Sequence, residues 1–123
     1  MPIKEDDDSI KHRYIYILEL ECEHFYVGQT SNLDLRIKKH FRGKGSSWTR
    51  IHSPVKVREI INLGVTTYNC AEKLENYYTV KYMKEYHWTR VRGGYFCNID
   101  PDILFEILKN HQIKNKVKGI DFV

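Results

Sequence analysis

Five side chains are able to bind an anion or move a proton: Tyr16, Tyr26, Arg36, His40 and Glu75. Arg36 and His40 are four residues apart in a helical pattern, so one helix surface presents a guanidinium beside an imidazole. Tyr16 and Tyr26 lie in two apolar runs separated by Glu21-Cys22-Glu23, a break so short that it joins only antiparallel neighbours. A turn about Glu21 sets the two phenols opposite each other on one sheet face, within reach of one ligand, whereas a slip of one residue would move one phenol to the other face. Glu75 borders the inward stripe of a later helix, as a solvated flank or as an acid held at a cleft edge. Taken singly, these residues read as core aromatics, surface cations and a helix flank; their order along the chain gives them chemical content.

The elements that must position them follow from periodicity and caps. Tyr14-Ile15-Tyr16-Ile17-Leu18-Glu19-Leu20 is nearly continuous in apolarity, as a strand covered on both faces would be, and Phe25-Tyr26-Val27 is its short partner. Ser31-x-x-Asp34 is a capping box that opens a helix through Phe41, with Leu33, Ile37 and Phe41 as its buried stripe. After the loop Gly43 to Ser47, Trp48 is assigned to packing on the sheet in preference to stacking on a base. Pro54 to Ile61 alternates as a third strand. Asn69-x-x-Glu72 opens a helix to Tyr86, with Ala71, Leu74, Tyr78 and Tyr82 inward. Arg90 to Asn98 is turn-rich, and Gly93-Gly94 there allows close backbone approach or positive φ. Asp100-Pro101 starts a last helix with Ile103, Leu104, Ile107 and Leu108 on its apolar face. The final stretch from His111 is basic and then apolar, without an assigned element.

The chain has 123 residues, 41% hydrophobic and 13% aromatic, the make-up of one packed domain with no room for a second full one. It has no apolar run long enough to span a membrane and no signal-peptide pattern at its start, so a soluble, intracellular protein is expected. Three cysteines without a C-x-x-C pair are expected to be small buried thiols. The formal charge is only +4, but Arg36, Lys38, Lys39, Arg42, Lys44, Arg50, Lys56 and Arg58 follow one another with no acid between them. Such a run predicts a strongly positive face, which attracts a phosphate backbone by counterion release.

Tyr14-Ile15-Tyr16, then Tyr26-Val27-Gly28 ten residues after Tyr16, then a helix with Arg36 and His40 and a later helical Glu75, resembles the GIY-YIG nuclease family from about Arg13 to Asn98. Tyr14 stands where the first glycine of the name motif would be. The stretch Ala71 to Tyr82 followed by Val91-Arg92-Gly93-Gly94 resembles a stand-alone subgroup without an attached DNA-targeting domain. The resemblance implies an α/β domain built on a three-stranded antiparallel sheet flanked by helices, over residues 13–98. A flexible acidic tail (1–12) would precede it, and a C-terminal helix and extension (99–123) would pack on it.

The function so implied is a metal-dependent endonuclease acting on DNA, with RNA not excluded, through one Mg²⁺ or Mn²⁺. Carried onto this chain, the family's two motif tyrosines are Tyr16 and Tyr26, its helix arginine is Arg36, the residue one turn later is His40, and its metal-binding glutamate is Glu75. Asn98 is a looser match to a late asparagine. With Lys38, Lys39, Arg42, Lys44 and Arg50 it makes up the expected nucleic-acid-binding set. In this reading Arg36 pairs with the scissile phosphate, Tyr16 is the general base, Tyr26 positions water or phosphate, and His40 is an alternative proton acceptor. A catalytically weak or inactive nucleic-acid-binding module of the same fold is the alternative.

Overall fold

The chain runs β1 (Lys11–Leu20), β2 (His24–Thr30), α1 (Leu33–Phe41), α2 (Ser47–Ile51), β3 (Pro54–Thr66), α3 (Tyr68–Tyr86), β4 (Val91–Gly93) and α4 (Pro101–Lys114), with 3-10 turns at Glu21–Glu23 and Trp88–Arg90. The structure, a computed structural model, describes residues 9–123. The expected acidic tail therefore lies largely outside the described residues, and β1 begins two residues before the expected Arg13. The strands form one sheet in the order β3-β1-β2-β4, antiparallel except for β2 and β4, which run parallel.

The sheet thus has four strands where three were expected. Strand β4 has only three residues, two of them Arg92 and Gly93, so no alternation announces it; pairing with Phe25, Tyr26 and Val27 makes it a strand. Strand β3 continues five residues past Ile61, pairing to Lys11↔Thr66 through three register irregularities, with Gly64 at φ +72°. Asn62 and Gly64 flank a bulge, opposite Tyr14 and Arg13.

Alternation along β1 divides the core in two. Ile15 and Ile17 face α3 and α4 with Phe25, Val27, Val80, Met83, Leu104, Leu108 and Ile120. Tyr16, Leu18 and Leu20 face the other way, with Tyr26, Trp48 and the α1 residues Leu33 and Ile37. Each fully buried aliphatic side chain here contributes about 1.5–3 kcal/mol. The segment after α4 folds back onto the first layer through Val117, Ile120, Phe122 and Val123.

Helix boundaries and faces shift locally. The N-cap of α1 is Asn32, whose Oδ1 accepts from Leu35 N–H, and that of α3 is Thr67, whose hydroxyl accepts from Cys70 N–H. Asp100 caps α4 as expected. Phe41 is exposed, because the inward position after Ile37 is taken at i+3 by His40, which is fully buried. Leu74 is also exposed; Asn76 and Thr79 point inward in its place and meet Gly94 and Gly93. Helix α2 lies just after the expected loop, started by a capping box between Ser46 and Thr49. All three cysteines are exposed rather than buried. Cys22 sits in the hairpin turn, and the Cys97 thiol donates to the Gly94 carbonyl.

Arg92 is the largest fully buried side chain and ties the end of the sheet together. Its guanidinium donates to the carbonyls of Trp88, Thr89, Val91, Asn98 and Ile99 and lies 4.1 Å over the Trp48 ring. Burial lowers its pKa to about 10, which leaves it charged at neutral pH. Trp48 in turn donates its indole N–H to the Phe25 carbonyl at 3.0 Å, so it packs on the sheet as expected. Arg92→Met orphans several buried carbonyls and is expected to cost about 3 kcal/mol or more. Thermal melting should then fall by roughly 10 °C; an unchanged melting temperature would refute this role.

Candidate active site

Strands β1 and β2 pair Tyr16 with Gly28 and Leu18 with Tyr26, so the two phenols are diagonal neighbours and not the opposed pair expected. The hairpin centres on Cys22, one residue beyond Glu21, which shifts every partner by two and preserves the face. Both rings therefore still project to the same side, 6.2 Å apart. Gly28 lies directly against the Tyr16 ring, where a methyl group would overlap the phenol.

Helix α1 crosses this face and brings His40 onto both tyrosines, with ring separations of 5.5 Å to Tyr16 and 4.8 Å to Tyr26. The Tyr16 hydroxyl and His40 Nε2 are 2.8 Å apart, and His40 Nδ1 is 3.0 Å from the Thr49 hydroxyl. Gly45 packs on the imidazole so closely that a Cβ there would collide with Nδ1. One turn before His40, Arg36 lies close enough to both phenols for its charge to act on their hydroxyls. Glu75 enters from α3 beside the backbone amides of Gln29 on β2 and Gly94 after β4, both of which favour its charged form. The fields of Arg36 and Glu75 reach both phenols. All five residues therefore converge, from four separate elements.

Burial dominates the electrostatics. It pushes Tyr16 up to about 12 against the opposing Arg36, and pushes Tyr26 upward as well. His40 falls to about 4, through burial first and Arg36 second. The Glu75 carboxyl rises to about 8, through burial and then the neighbouring Glu72, opposed by the two amides and Arg36. The resting site therefore holds neutral phenols, a neutral imidazole and one permanent cation, Arg36.

Lys38, Lys39, Arg42, Lys44 and Arg50 are exposed on α1, α2 and the loop between them. Arg42 and Arg50 line a depression of about 410 Å³ together with His40 and Thr49. Lys56 and Arg58 leave the expected basic run, because both pair with Glu19 on β1, at 3.9 and 3.6 Å. The side chain of Asn98 accepts from Asp100 N–H at the turn into α4, and its carbonyl accepts from Arg92. Sequence reading passed over Gly45 and Thr49, although Ser46-x-x-Thr49 carried a helix-start signal.

A family model described as the GIY-YIG catalytic domain matches residues 12–91. The chain belongs to the GIY-YIG family. Its curated relatives are UPF0213 proteins, a stand-alone GIY-YIG family. That of Clostridium perfringens is 48% identical over 44 residues, 36% of this chain and 47% of the relative. That of Halalkalibacterium halodurans is 44% identical over 46 residues, 37% and 49% of the two chains. That of Oceanobacillus iheyensis is 29% identical over 76 residues, 62% and 84% of the two chains. The chain spans about half the length of the first two. No solved structure matches it. A GIY-YIG domain implies a nuclease-type function, and the family's nucleases typically use a divalent metal ion. No helix among the described residues is long and apolar enough to cross a membrane.

The donor set suits a hard cation held through one carboxylate. No group of three or more His, Cys, Asp or Glu converges among the described residues. Arg36 opposes the upward shift of the half-buried Glu75 carboxyl without cancelling it, and a bound cation would lower that pKa further. Gln29, whose backbone amide lies beside Glu75, has a buried side-chain oxygen with no hydrogen-bond partner among the described residues. Oxygen donors of this kind fit Mg²⁺ or Mn²⁺ with water completing the shell.

Proposed function

We propose that this protein is an endonuclease that hydrolyses nucleic-acid phosphodiester bonds, DNA foremost, with Tyr16 as general base and one divalent cation at Glu75. The observation that carries this reading is the buried Tyr16 hydroxyl, which bonds His40 and lies within the fields of Arg36 and Glu75, with Tyr26 alongside. A bound Mg²⁺ or Mn²⁺ would supply charge neutralisation at the phosphate. Arg36 offers a planar fork to the phosphate oxygens, a geometry that lysine lacks. Tyr26 hydrogen-bonds the phosphate or holds the attacking water. Because Tyr16 rests protonated, it can accept a proton from water only while passing its own to His40 Nε2. Lys38, Lys39, Arg42, Lys44 and Arg50 hold the backbone on either side of the cut.

The test is nicking of plasmid and branched DNA with Mg²⁺ or Mn²⁺, by the wild type and by Glu75→Ala. Wild-type nicking is expected, with a variant that binds DNA but cuts at least about 100-fold more slowly. Salt-dependent binding without cleavage of any DNA or RNA form by the wild type would overturn the proposal and leave a binding module. In the same binding assay, Lys38→Ala, Lys39→Ala and Arg42→Ala should each flatten the dependence of log K on log salt by about 0.9, if each neutralises one duplex phosphate. An unaltered slope would remove these residues from the interface.

A further inference from the structure

We propose that Thr49 is a positioning residue that holds His40 in the Nδ1–H tautomer, so that Nε2 faces Tyr16 as a bare acceptor. The argument is an accounting of protons. Tyr16 is fully buried, so its O–H must be donated within the protein. Arg36, whose charge acts on this oxygen, has only donors to offer. Among the described residues, the acceptor that the hydroxyl meets is His40 Nε2 at 2.8 Å. Nε2 must then be unprotonated, and the single proton of the neutral ring sits on Nδ1.

That proton needs an acceptor in turn, because His40 is also fully buried. The Thr49 hydroxyl oxygen lies 3.0 Å from Nδ1, is itself 1% exposed, and passes its own proton to the Ser46 carbonyl at 3.3 Å. The result is a polarised chain: Tyr16 donates to His40, His40 to Thr49 and Thr49 to the Ser46 carbonyl, while the Thr49 oxygen also accepts the Ser46 N–H. Two features fix its far end. The Ser46–Thr49 capping box sets the Thr49 side chain, and Gly45 admits the imidazole edge where any larger residue would displace it.

The kinetic consequence rests on the nuclease reading above; the tautomer itself does not. As the water oxygen bonds to phosphorus, its proton moves to the Tyr16 oxygen and the Tyr16 proton moves to Nε2. The P–O bond to the leaving strand breaks with its electron pair, and the leaving oxygen takes a proton from solvent. The imidazolium keeps its Nδ1–H on Thr49 and later returns the extra proton to solvent through Tyr16. The opposite tautomer would block this route, because its Nε2 already bears a hydrogen.

Ring-¹⁵N-labelled histidine read by NMR at neutral pH reports the tautomer directly, with His40 assigned by the signal lost in His40→Asn. The wild type should show Nδ1 protonated and Nε2 bare. Thr49→Val should raise the Nε2–H form to half or more and lower kcat for nicking at least 10-fold with KM unchanged, and Thr49→Ser should restore both. Ser46→Ala weakens the same cap but keeps Thr49, and should leave the tautomer as it is. A wild-type His40 protonated on Nε2, or a folded Thr49→Val that keeps the wild-type tautomer, overturns the proposal. Should Thr49→Val fail to fold, the wild-type spectrum and Thr49→Ser still decide it. An Nδ1–H His40 in a protein that cuts nothing sinks the nuclease reading and leaves the positioning role intact.

Discussion

Tyr16→Phe should lower the nicking rate by about 10²–10⁴-fold while DNA affinity stays within roughly two-fold, because general acid–base assistance of this kind is worth about that much. The ring is fully buried and fills its place in the second core layer, so phenylalanine keeps the packing. What disappears is the oxygen that bonds His40 Nε2. Losing it should also cost about 1–2 kcal/mol of stability, since the buried His40 Nε2 is left without its partner. Single-turnover cleavage and fluorescence anisotropy separate the two effects. A variant retaining more than a tenth of the wild-type rate would move the general base elsewhere. Arg36→Lys makes a useful companion, since it preserves the charge and removes the fork.

The second large effect concerns Glu75 and is a matter of pH. Without a cation, burial holds this carboxyl at about 8, whereas in the unfolded chain it titrates near the ordinary 4.5. Between those values the folded protein keeps a proton that the unfolded chain has lost. The stabilisation is therefore complete below about 4.5 and disappears as the pH rises through about 8. Glu75→Gln has no such proton to lose. Its melting temperature should match the wild type near pH 4.5 and exceed it above pH 8, by the equivalent of a few kcal/mol at most. A difference that stays flat across this range would show that burial does not govern the carboxyl. Adding Mn²⁺ should close the gap by stabilising the wild type alone, with proton release on binding below pH 8. His40 runs the other way. Its pKa is lowered to about 4, so its contribution is present above about 6.5 and lost as the pH falls through 4. Comparing the two proteins at the same pH cancels that slope.

The parts of this molecule that could be read in advance are those written in periodicity. The continuous apolarity of β1 announced a strand buried on both sides, and Asp100-Pro101 announced α4. The four-residue spacing of Arg36 and His40 placed both on one helix surface. The pairing register was off by two because Cys22 and Glu23 adopt left-handed backbone angles of +57° and +59° without a glycine to signal them. Strand β4 and the partners of Glu75 were hidden for a different reason. A three-residue parallel strand and two backbone amides are defined by what lies across from them, and no local pattern encodes that. Thr49 carried a local signal, but its contact with His40 depends on how α2 lies against α1.

The surroundings of Glu75 come from both halves of the chain. The cationic surface around α1 belongs to the first half, whereas the Gly94 amide beside Glu75 follows β4, which pairs with β2. If the nuclease reading holds, a fragment ending before β4 would retain the basic surface of α1 while lacking the amide of Gly94 beside Glu75.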